Sequence, residues 1–184
     1  MSRDRSYTME VAVQPPARAR VAQALYAPLV VRVHIFDARG AEIAGEDELG
    51  GLFVQAALYG AAGGRALAPP DAHLLAGRLA RSLDLAGDAR GAYALFPDLT
   101  ITRAGRYRVG VSLFQVAPGA AGGRMLAEAR SDVVAVGADP ASPPGTCAPP
   151  PSRACAADGE DAAATRYLEY LAERGARVPQ PPPP

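Results

Sequence analysis

Residues 95–116 read LFPDLTITRAGRYRVGVSLFQV, and their periodicity decides the fold class. Tyr107, Val109, Val111 and Leu113 alternate with Arg108, Gly110 and Ser112, the period-two signature of a strand with one buried face. Phe114 and Val116 place apolar groups on the opposite phase, which predicts a twist or bulge near Leu113. Upstream, Pro97 cannot donate to a ladder and ends the strand Tyr93–Phe96, and the Asp98 side chain is expected to cap backbone N–H groups of that turn. Leu99 to Thr102 and a turn at Ala104-Gly105 lead into the long strand.

Working outward, Tyr7 to Val13 alternates Tyr7, Met9, Val11 and Val13 with Thr8, Glu10 and Ala12, and Gln14-Pro15-Pro16 stops it. A loop carrying Arg18 and Arg20 follows. Leu29 to Phe36 (LVVRVHIF) is rich in β-branched residues and ends at a turn-like Asp37-Ala38-Arg39-Gly40. Leu52 to Tyr59 is bounded by glycines, Leu74 to Leu79 is a weaker strand with Gly77 marking a bulge, and Val133 to Val136 closes the series. Roughly seven to nine short strands with turn signals about every ten residues indicate an antiparallel sandwich. No long helical pattern interrupts them, so a parallel βαβ fold is not expected. Phe96, Leu99, Val109, Val111, Leu113, Val31, Val33 and Ile35 are the expected core.

The C-terminal part differs in character. Asp139 to Pro151 is dominated by Pro, Ala and Ser and reads as an extended linker inside a 1–159 domain. Asp161 to Arg174 has helix formers throughout and stops at Gly175, giving a helix within residues 160–176. Its apolar stripe runs through Ala164, Tyr167, Leu168 and Leu171. Such a helix is marginal alone, so Leu168 and Leu171 are expected to dock on the sandwich or on a partner. Residues 177–184 form a proline-rich tail.

With 184 residues the chain fits one domain and an appendage. The formal net charge of zero excludes a global field pulling it onto nucleic acid or a membrane, so any polyanion site must be local. All 19 basic residues are arginine, a bias best explained by a GC-rich coding sequence. Neither a signal peptide nor an 18-residue apolar run is visible, so a soluble intracellular protein without membrane contact is expected. The two cysteines, Cys147 and Cys155, have no nearby His to complete a zinc set, and two free thiols are favoured over a disulfide. No nucleophile elbow, phosphate loop or paired-histidine zinc motif occurs, and His34 and His73 read as ordinary strand residues. No catalytic residue, metal site, cofactor or small-molecule substrate is therefore expected.

The stretch Tyr93–Thr102, followed by Gly105-Arg106-Tyr107-Arg108-Val109 and Ser112-Leu113-Phe114, resembles the velvet domain. In that family an F-P-D-L strand and turn precede a G-x-Y-R-L strand ending in S-L-F. Tyr7 to Arg20 is similar to its opening strand and Q-Q-P-x-R-A-R loop. Val133 to Gly145 and Ser152 to Gly159 are similar to its closing segments, so the resemblance spans roughly Tyr7 to Gly159.

The resemblance implies an immunoglobulin/Rel-like all-β sandwich, here with a C-terminal α-helix. It implies a fungal nuclear regulator, open to shuttling with the cytoplasm, that acts in homo- or heterodimers with other velvet-family proteins to control development, sporulation and secondary metabolism. The loop after the first strand would touch double-stranded DNA, and Gln14, Arg18 and Arg20 are the matching residues. Where family members continue with a Lys/Arg-rich stretch, this chain has the uncharged Val21 to Ala27, so DNA contact by the isolated chain is expected to be weak. Arg103, Arg106 and Arg108 form a secondary basic patch whose bland alternative is a solvent-facing strand. Two other readings stay open: a dimerisation partner without DNA binding, and a sandwich-type ligand-binding module. The second would need an aromatic face that a chain without Trp and with 7 Tyr and 4 Phe can hardly assemble.

Overall fold

The computed structural model describes residues 5–43, 49–62, 66–67, 71–85, 91–116, 122–137, 168–169 and 172–173. β-Branched and alternating segments give thirteen strands in these residues. They are β1 (Ser6–Val13), β2 (Arg18–Arg20), β3 (Leu29–Phe36), β4 (Glu42–Ile43), β5 (Leu52–Gly60), β6 (Leu75–Ala76) and β7 (Ala80–Ser82), then β8 (Asp84–Leu85), β9 (Ala92–Phe96), β10 (Thr100–Ile101), β11 (Gly105–Val116), β12 (Gly123–Arg130) and β13 (Val134–Gly137). The protein is all-β in this part, and its sheets are antiparallel apart from one parallel pairing, β2 with β13.

Two sheets carry the architecture. A five-stranded sheet runs β1-β3-β9-β8 with β4 on β3, and a six-stranded sheet runs β2-β13-β11-β5-β7 with β12 also on β11. Their facing sides share one hydrophobic cluster: Val31, Val33, Ile35, Ala94 and Phe96 from the first sheet meet Val54, Leu58, Val109, Val111, Leu113 and Val134 from the second. The packing is sandwich-like, and all eight expected core residues are buried in this cluster. β10 and β6 form a small separate ladder that closes over Leu99 and Ile101.

Several local expectations are corrected. The segment with Arg18 and Arg20 is a strand, because Ala19 turns inward against the core while its neighbours face out. The expected strand Leu74–Leu79 divides into a 3-10 turn, Asp71–Leu74, and the short β6. Gly77 there adopts φ +109°, with its α-carbon against the Asp98 carbonyl, where a side chain would collide with backbone. Asp98 does not cap its own turn: its carboxylate accepts the Arg78 N–H at 3.2 Å and faces Arg81 Nη2 at 3.4 Å.

The irregularity at Leu113/Phe114 exists, but β11 keeps its phase against β5 and the extra residue, Leu126, lies on β12. Phe114 and Val116 thus remain on the outer face. β12 itself had no sequence signal, since GRMLAEAR lacks β-branched residues. His34 does more than fill a strand: Nδ1 lies 2.7 Å from Glu42 Oε1 and Nε2 lies 3.3 Å from Glu10 Oε1, tying β1, β3 and β4 together.

Leu168 is helical and buried at 8% exposure, and residues 169, 172 and 173 are helical too. The rest of the Asp161–Arg174 helix including Leu171, the Asp139–Pro151 linker, both cysteines and the tail lie outside the described residues.

Candidate polyanion-binding face

The outer side of the six-stranded sheet collects Arg18, Arg20, Arg106 and Arg108, which the sequence placed in two separate groups. Arg18 pairs with Ala135, and Ala135 pairs in turn with Arg106. Residues directly opposite in a ladder share a face, so Arg18, Ala135 and Arg106 form one row across β2, β13 and β11. At about 4.8 Å per strand, the two arginine α-carbons stand roughly 10 Å apart. Only an alanine methyl lies between them. The next row pairs Arg20 with Gly137, again with no bulk in between. Arg108 lies two residues beyond Arg106 on the same face, about 7 Å along β11. Arg18, Arg20 and Arg106 are exposed and Arg108 is half-buried.

Arg108 and Arg103 are held differently. The Arg108 guanidinium donates to the Ser131 carbonyl at 3.0 Å, which fixes its stem and leaves it further N–H donors. Arg103 does not join this row. It pairs with Asp71 at 3.1 Å, and contact with the Tyr107 hydroxyl, then Asp71, raises it above the ordinary guanidinium range. Arg103 is therefore already engaged at the far end of the turn.

Gln14 lies at the corner behind the row. Its side-chain oxygen accepts the Asp132 N–H at 2.9 Å, so its observed role is to clamp the β12–β13 corner. The buried Ser131 completes that corner. Its hydroxyl accepts the Val109 N–H at 2.9 Å and donates to the Asp132 carbonyl at 2.8 Å, while its own N–H donates to the Val109 carbonyl. Ser131 carried no recognisable motif, and neither did the small residues Ala135 and Gly137 that open the space between the arginines.

Further along the same face, the Tyr59 ring lies over Gly110 and under Arg130, whose guanidinium carbon is 4.5 Å from the ring centre. The Tyr59 hydroxyl donates to Glu128 at 3.3 Å, and Arg130 Nε donates to the same oxygen at 2.9 Å. Burial first, and the Glu128 carboxylate second, hold the Tyr59 proton above the usual phenol range. Beyond this cluster Phe53 and Phe114 stack with centroids 5.4 Å apart, next to Met125, which is 55% exposed. Among the described residues no group of three or more His, Cys, Asp or Glu side chains could hold a metal ion.

The face can bind phosphate or carboxylate through forked guanidinium groups on a rigid sheet. No protein-family model matches the chain, and no curated protein matches it.

Proposed function

We propose that the protein is a velvet-type regulator subunit with an immunoglobulin/Rel-like sandwich, and that the Arg18–Ala135–Arg106 row with Arg20 and Arg108 is its contact with the DNA backbone. The row is the observation that carries the reading: two sequence-distant arginines are aligned on a rigid sheet, with nothing larger than a methyl between them. The block 95–116 supports the family comparison, since its strand, turn and strand become β9, β10 and the central β11.

Few phosphate contacts mean weak binding alone, because each contact neutralised adds a further power of the salt dependence. A partner subunit would supply the remainder in a nuclear homo- or heterodimer that controls fungal development and secondary metabolism. The uncharged Val21–Ala27 stretch favours a second reading, a dimerisation partner without DNA contact. Size-exclusion chromatography with light scattering, alone and with velvet-type partners, followed by gel shifts on the same mixtures, separates the two. Salt-sensitive duplex binding that strengthens on mixing supports the first. Mixed dimers with no shift support the second, and no dimer and no shift contradict both.

A further inference from the structure

The outer face of the six-stranded sheet has a second half that duplex contact does not use. Along β11 the outward positions run Arg106, Arg108, Gly110, Ser112, Phe114 and Val116, so a cationic end passes into an aromatic end. From Arg108 to Phe114 is about 20 Å. Phe114 is paired with Phe53 on β5 and Met125 on β12, and the two rings are near-parallel, 18° between planes, and half-buried. Between the two ends lies a polar row, Gln55, Ser112 and Glu128, with Gln55 exposed. Glu128 Oε1 accepts from Arg130 and Tyr59, which sets that carboxylate against the Arg130 cation, and the Gln55 amide and the Ser112 hydroxyl share the row with it.

A ligand that suits all three zones carries repeated negative charge, polar edges and flat apolar rings. Bases inside a duplex are stacked on one another and offer no ring face to a sheet; unpaired bases do. The rings lie near the end of β11 and the start of β5, and Arg106 and Arg108 stand on the same face at the other end of β11. We infer that this face binds single-stranded nucleic acid, with phosphates on Arg106 and Arg108 and an unpaired base against the Phe114–Phe53 pair. The inference uses arginines of the proposed DNA face but requires neither a duplex nor a partner.

The test is fluorescence anisotropy on the full chain at low salt. Its probes are an oligothymidylate of roughly ten nucleotides, within the site sizes such surfaces use, and an abasic strand of equal length. The expected result is that the oligothymidylate binds about fivefold tighter or more, from stacking alone. Phe114→Leu, which keeps the apolar volume and removes the ring, should abolish that preference and leave the salt slope unchanged. Arg106→Gln, at an exposed position, should reduce the slope by about 0.7 and keep the preference. Equal affinity for the two strands, no binding to either, or binding only to vesicles of anionic phospholipid would each overturn the inference. Loss of duplex binding with the thymidylate preference intact would count against the proposed duplex contact and leave this one standing.

Discussion

Gln14 and Asp132 are 118 residues apart in sequence, yet the Gln14 side-chain oxygen accepts the Asp132 backbone N–H at 2.9 Å. The bond fastens the end of β1 to the corner from which β13 departs, and β13 carries the residue between Arg18 and Arg106. Gln14→Ala should cost about 1 kcal/mol of stability, the usual net worth of one such bond, measured by urea unfolding. Gln14→Glu keeps an acceptor oxygen and should retain most of that stability, while its negative charge beside the arginine row weakens polyanion binding.

Gly110 is fixed by the Tyr59 ring, which occupies the place of a β-carbon. Gly110→Ala must displace the ring from its place between Gly110 and Arg130. A loss of about 1–3 kcal/mol is expected, the usual cost of overpacking, and the tyrosine circular-dichroism signal should change with it.

Tyr59 gives a pH signature. Its phenol pKa is raised in the folded state by burial and by Glu128. The folded protein therefore holds this proton more tightly than the unfolded chain. The associated stability is fully present below the unfolded value of about 10 and is lost as pH rises through the folded value. Thermal melts should show Tyr59→Phe losing less stability than the parent protein on going above about pH 10. Parallel curves would contradict this reading of the cluster.

Leu168 is buried in a segment whose other described residues are exposed. Leu168→Asp should destabilise the protein by about 1.5–3 kcal/mol or more, a drop in Tm of about 2–4 °C for each kcal/mol in a chain of this size. An unchanged melt would mean that the helix contributes nothing to the fold.

Where burial imposed strict alternation, the sequence was readable: β3 and β11 have their expected faces, all eight named core residues are inside, and β1 keeps its expected face from Tyr7 to Val11, where a bulge then sets Val13 opposite Val30 instead of on the side of Val31. Where a strand is held by its neighbours rather than by its own composition, it was not. Arg18–Arg20 looked like a loop because one inward alanine is too little signal, and β12 lacks β-branched residues altogether. The arginines themselves were visible. Their assembly into one row was not, because it depends on a parallel pairing between β2 and β13, which no local pattern encodes. The same holds for Gln14, whose partner lies in another part of the chain.

The alignment of Arg18 and Arg106 is the central claim, and the salt dependence of duplex binding tests it most directly. Affinity of the full chain for a random-sequence DNA duplex is measured by anisotropy across a salt series, for the parent protein and for Arg18→Ala/Arg106→Ala. The account predicts weak, salt-sensitive binding by the parent. The double variant should lose about two units of slope, one per phosphate contact, and roughly tenfold in affinity. A double variant that binds with the parent's affinity and slope would contradict it, and would show that the arginine row is a solvated edge of the sheet.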